Sequence, residues 1–159
     1  MRYYVAELER EGFLTVLVSA PPDVADVVRG ISHPDAAMFV VDVMMPPGGL
    51  YRDDVTQSGL YTGICVARDL RERYPNTPII LLSQAPFGEV QESAKRSSKR
   101  NPNFLFLRKI DTLPHELAFI VRSYFESGRF KRSVWKKLWG AVTLRPSFGG
   151  VGLDLKQLK

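Results

Sequence analysis

A chain of 159 residues with 45% hydrophobic and 25% charged residues is long enough to bury a core and has the mix of an ordinary globular domain. Its single cysteine, Cys65, excludes an internal disulfide framework, and no charged start leads into an apolar run that reads as a secretory signal or a membrane span. The net charge of +5 is lodged at one end: from Ser127 onward eight Lys/Arg face the single acid Asp154, whereas residues 1–126 are slightly acidic. A reducing compartment suits that cysteine usage, so a cytoplasmic location is expected.

In chain order, "RYYVAELEREG" reads as a helix with Tyr4, Val5 and Leu8 on one face and Gly12 beyond its end. "FLTVLVSA" is expected as a strand from its β-branched run. "PPDVADVVRG" is expected as a short helix with Val24, Val27 and Val28 inward, opened by prolines and closed by Gly30. "AAMFVVDV" is a nearly continuous apolar strand, the pattern of a strand buried on both faces of a parallel sheet. Residues 46–62 read as a long loop in which Gly48 and Gly49 are turn residues. "GICVARDLRERY" is a helix with Ile64, Ala67, Leu70 and Tyr74 inward, and "TPIILLS" is the next buried strand.

"GEVQESAKRSSKR" is a polar helix with Val90 and Ala94 as its apolar anchors, followed by the strand "NFLFLRK". "TLPHELAFIVRSYFES" is an amphipathic helix with Leu117, Ile120, Val121, Tyr124 and Phe125 on one stripe and Thr112 as the expected cap. In the tail, "GRFKRSVWKKLWGAV" groups Phe130, Val134, Trp135 and Leu138 opposite Lys131, Arg132, Lys136 and Lys137. A basic amphipathic helix of that kind either packs its aromatic side on the body or takes a nucleic acid, an anionic membrane or a partner groove. Val151, Leu153 and Leu155 alternate with Gly152, Asp154 and Lys156, the period of a half-buried edge strand.

Alternation of helices and strands marks an α/β fold with a parallel sheet between helical layers, and such sheets collect their chemistry at the carboxyl ends of the strands. Three polar residues stand at those ends: Asp42, Ser83 and Lys109. A carboxylate, a hydroxyl and an ammonium at neighbouring strand ends suit phosphoryl transfer: the carboxylate attacks, and the other two position and neutralise the transferred oxygens.

"VVDVMMP", "PIILLSQA" and "FLFLRKIDTLPHELAFIV" resemble the phosphoacceptor, hydroxyl and lysine motifs of response-regulator receiver domains, over residues 1–126. The resemblance implies a flavodoxin-like three-layer fold with the family strand order 2-1-3-4-5. It implies Asp42 as phosphoacceptor, Ser83 and Phe106 as switch residues, Lys109 as phosphate contact and the Met44 backbone carbonyl as a ligand, with Asp42, for Mg2+. The implied partner is a histidine kinase or another signalling protein, and the implied role is regulatory, with no turnover enzyme activity.

The sequence departs from the family in three places. It opens inside what matches the family's first helix, so the usual first strand and its metal-binding acidic pair are absent, and Glu7, Glu9 and Glu11 lie on the helix instead. The loop after Asp42 is long and carries Asp53 and Asp54, and Lys109 is followed by Ile110 where receivers commonly have proline. The fold expected is therefore a receiver-like domain over 1–126 that lacks the first strand, with "FLTVLVSA" paired directly to "AAMFVVDV". A basic helix and a short strand follow over 127–159.

A site short of two carboxylates holds Mg2+ weakly. That shortage makes a degenerate, phosphorylation-independent interaction module the alternative, and exposed strand edges favour a homo-oligomer. Asp53 and Asp54 are read as solvated loop charges and Cys65 as a small packing residue. His33 and His115 lack metal-ligand spacing.

Overall fold

The computed structural model describes residues 1–84 and 103–130. Among these residues nine elements follow one another: α1 (Arg2–Arg10), α2 (Pro21–Arg29), β1 (Phe39–Asp42), α3 (Asp53–Thr56), α4 (Thr62–Arg73), β2 (Ile79–Ser83), β3 (Phe104–Arg108), a 3-10 turn (Lys109–Asp111) and α5 (Pro114–Ser127). The three strands form an all-parallel open sheet in the order β1-β2-β3, so the described chain is an α/β structure.

β2 has all five residues buried because helices cover both faces of the sheet. Alternate residues feed two core layers. Ile79 and Leu81 join Phe39 and Val41 of β1, Val27 of α2, and Val66, Ala67 and Leu70 of α4. Ile80 and Leu82 join Leu107 of β3, Leu8 of α1, and Leu117, Ala118, Ile120 and Val121 of α5. Each large side chain so buried is worth about 1.5–3 kcal/mol, which makes β2 the anchor of the fold.

The helices end where the sequence places their stops. α2 carries prolines in its first turn and closes on Gly30 at φ 74, a left-handed position at which a side chain is strained. Val27 is buried, and Val24 and Val28 pack beside it, as expected. α4 buries Cys65 and Val66 in addition to Ala67 and Leu70, so more of it is inward than a single stripe. Its last turn is tied to α2 by the Tyr74 hydroxyl, which donates to the Val27 carbonyl at 3.2 Å. The lone cysteine is buried within α4, in keeping with the small packing residue expected.

Four expectations need correction. First, "FLTVLVSA" forms no strand, and β1 pairs with β2 alone among the described residues. Phe13 packs on the α1/α5 layer and Val18 on the α2/α4 layer, while Leu14 is 99% and Val16 60% exposed. The segment crosses from one layer to the other. A β-branched run becomes a strand only where a neighbouring strand accepts its hydrogen bonds and a pleated surface packs its side chains. Second, the loop after β1 contains the one-turn helix α3.

Third, the cap of α5 is Leu113, whose backbone N–H donates to the Glu116 carboxylate at 2.7 Å, whereas Thr112 is buried one residue earlier. Burial against α1 takes Thr112 away from the capping position. Fourth, Phe125 is 47% exposed, although Leu117, Ile120 and Val121 are buried as the stripe predicts. The polar helix expected at 88–100, residues 131–142 of the basic helix and the strand at 151–156 lie outside the described residues, whereas Phe130, at the start of that basic segment, packs on the α1/α5 layer with its ring 4.5 Å from that of Tyr124. Among the described residues, no helix is long and apolar enough to cross a membrane.

Candidate functional site

Register brings the three sequence-selected polar residues to one rim. Asp42, the last residue of β1, lies opposite Leu82, so Ser83 extends β2 one residue further; Ser83 lies opposite Arg108, and Lys109 follows at once. Because all three strands run the same way, all three residues sit at the carboxyl edge of the sheet. Lys109 Nζ forms an ion pair with Asp42 Oδ2 across 67 residues of sequence. Both side chains are largely covered, 18% and 21% exposed, which strengthens the pair over a surface one. Ser83 is buried at 1% exposure.

The turn after Asp42 is built around its carboxylate. Met44 N–H donates to Asp42 Oδ1 at 3.2 Å, so the two oxygens of one carboxylate are held by an ammonium and a backbone amide. Val43 is fully buried and carries β1 pairing one step further, its N–H donating to the Leu82 carbonyl at 2.8 Å. Its own carbonyl accepts the Gly63 N–H at 3.0 Å, which docks the first turn of α4 on the strand end. The ammonium and the amide together fix the direction of the Asp42 carboxylate at the rim of the sheet.

Phe106, the expected switch aromatic, lies in the middle of β3 opposite Leu81, half-buried against the α2/α4 layer. Met44 is exposed. The acids of α1 and of the loop after β1 are engaged away from Asp42. Glu7 pairs with Arg10, Glu9 accepts from the Thr15 hydroxyl at 2.6 Å, and Glu11 pairs with Arg122 at 2.5 Å. Asp54 pairs with Arg52 at 2.9 Å at the surface, and Asp53 opens α3, in keeping with solvated loop charges. Among the described residues, no three His, Cys, Asp or Glu side chains gather into a metal-holding group. One carboxylate, already paired to an ammonium, with one neighbouring carbonyl does not fit a tight Mg2+ site.

Two residues near the rim were not singled out by sequence reasoning. Tyr4, on α1, donates its hydroxyl to the Thr112 carbonyl at 2.7 Å, beside the Lys109 carbonyl at 3.5 Å. Burial pushes its phenol pKa above the ordinary value, and the charges of Asp42 and Glu116 push it further the same way. Its only sequence signal was a place on the inward face of an amphipathic helix, which core residues share. Gly63 was legible only as a glycine at the start of a helix, with no hint of what it faces.

The long loop is pinned rather than loose. Tyr51 donates its hydroxyl to Asp69 at 2.6 Å, and Gly48 and Gly49 turn the chain at φ 55 and 78. The tail residues proposed to meet nucleic acid or membrane lie outside the described residues. No family model matches this chain, and no curated protein and no solved structure matches it either.

Proposed function

We propose that residues 1–126 are a receiver-like signalling domain of flavodoxin-like layout, in which Asp42 accepts a phosphoryl group from a histidine kinase or another phosphodonor in the cytoplasm. An Asp42 oxygen attacks phosphorus, the donor's bond to phosphorus breaks, and the acyl phosphate later yields to water. Lys109, released from the carboxylate charge, pairs with a phosphoryl oxygen, and the Ser83 hydroxyl takes another. Phe106, half-buried on β3, is the switch aromatic that follows Ser83. The observation that carries this reading is the Asp42–Lys109 ion pair at the rim of parallel strands, with Ser83 ending the strand between them.

Beryllofluoride with Mg2+ tests it. Amide chemical-shift changes centred on Asp42, Met44 and Ser83, absent in Asp42→Ala, are expected; a spectrum unmoved by the reagent overturns it. A second reading, a phosphorylation-independent interaction module, is favoured by the engagement of Glu7, Glu9 and Glu11 away from Asp42. It is selected if the domain binds its partner equally well as wild type and as Asp42→Asn.

A further inference from the structure

We propose that Tyr4 is a positioning residue for Lys109: its hydroxyl holds the turn that aims the ammonium at Asp42. The proposal rests on the reading of Asp42 and Lys109 as one functional pair, but not on phosphate itself.

Lys109 is not part of β3. It opens the 3-10 turn Lys109–Asp111, so the sheet does not fix its backbone. The turn's closing hydrogen bond, Thr112 N–H to the Lys109 carbonyl, is long at 3.4 Å. Ile110 is 81% exposed and anchors nothing. The ion pair of Arg108 with Asp111 is partly exposed and holds the outer side of the turn. What faces inward is Thr112, 2% exposed, whose carbonyl accepts the Tyr4 hydroxyl at 2.7 Å with the Lys109 carbonyl 3.5 Å away. The phenol thus bonds the far end of the four-residue segment that carries the lysine and lies beside its near end.

The phenol is suited to that task. Its ring packs in the α1/α5 layer, which fixes its direction. Burial, with Asp42 and Glu116 nearby, keeps it protonated and therefore a donor. It bonds carbonyls and leaves both Asp42 oxygens to Lys109 and Met44. α1, which supplies no atom to the pair, is in this way joined to it.

Competitive acetylation of the whole chain with acetic anhydride, read by mass spectrometry, tests the role without any phosphate. Compared are wild type, Tyr4→Phe, Asp42→Asn and, as control, Tyr3→Phe, whose ring is 83% exposed. Lys109 is expected to react slowly in wild type and Tyr3→Phe, fastest in Asp42→Asn, and about two- to tenfold faster than wild type in Tyr4→Phe, the factor one hydrogen bond is worth. The other lysines should keep their rates. An unchanged Lys109 rate in Tyr4→Phe overturns the proposal. So does a rise shared by all lysines with a lowered melting temperature, which marks general loosening. A wild type indifferent to beryllofluoride defeats the phosphoacceptor reading while leaving this result standing.

Discussion

Gly63 presses directly on the backbone of Asp42: a Cβ built on it lies 2.0 Å from the Asp42 carbonyl oxygen and 2.6 Å from Val43 Cα. The neighbours are main chain at the end of a buried strand, so neither can give way cheaply. Gly63→Ala must push α4 from β1 or move the turn that holds the carboxylate. The expected loss is about 2–3 kcal/mol, the upper end for overpacking, measured by urea unfolding. Shifted Asp42 and Met44 amide resonances should accompany it. A variant as stable as wild type would mean that the contact is looser than described.

The Asp42–Lys109 pair should behave as a coupled unit. Asp42→Ala leaves a covered ammonium without its carboxylate, and Lys109→Met leaves a covered carboxylate with one donor fewer. Each single change is expected to cost about 1–3 kcal/mol. The double variant should cost clearly less than the two losses combined, because the second change removes the group that the first left unpaired. Strict additivity in chemical unfolding would show that the pair contributes nothing.

Labelling of Asp42 by small phosphodonors should be slow and partial, because the described residues offer one carboxylate for the metal that neutralises the incoming phosphoryl group. Intact-mass analysis after incubation with acetyl phosphate and Mg2+ reads the extent. Rapid, complete labelling that disappears in Asp42→Asn would show that one carboxylate is enough for the reaction.

Alkaline stability should depend on Tyr51. Burial and then the hydrogen bond to Asp69 push its phenol pKa above the ordinary value of 10.0. The unfolded chain releases this proton near that value while the folded chain keeps it. The contribution is therefore full below about pH 10 and falls as pH rises toward the folded-state value. Tyr51→Phe should lose stability less steeply from about pH 9 to about pH 11, in urea titrations at stepped pH. Tyr4 and Tyr124, both also raised, keep some slope in the variant.

The outer edge of β1 should exchange its amides quickly. The N–H groups of Phe39 and Val43 donate to Pro78 and Leu82, and strand alternation turns those of Val40 and Asp42 the other way, where no strand pairs among the described residues. Hydrogen exchange read by NMR should be faster at Val40 than at Ile80 or Leu82. Such an edge also invites pairing between chains, so association that rises with concentration is expected. Protection of Val40 equal to that of β2 in a dilute, monomeric sample would overturn this.

The sequence by itself determined the elements whose signals are local. The continuous apolar runs at 39–41 and 79–82 lie in strands because both faces are covered, and Gly30 ends α2 because glycine takes its left-handed backbone angles without strain. The alternation of types is enough to place Asp42, Ser83 and Lys109 at one rim, since parallel strands all end there. Tertiary structure decided what depends on a neighbour. Residues 13–20 have the composition of a strand, but a ladder needs a partner and the described sheet provides none. Thr112 has the chemistry of a cap, yet packing against α1 draws it inward and leaves the position to Leu113. Tyr4 and Gly63 look in sequence like a core aromatic and a helix-start glycine. Their importance lies in meeting Thr112, Lys109 and Asp42, contacts across distant parts of the chain that no local pattern encodes.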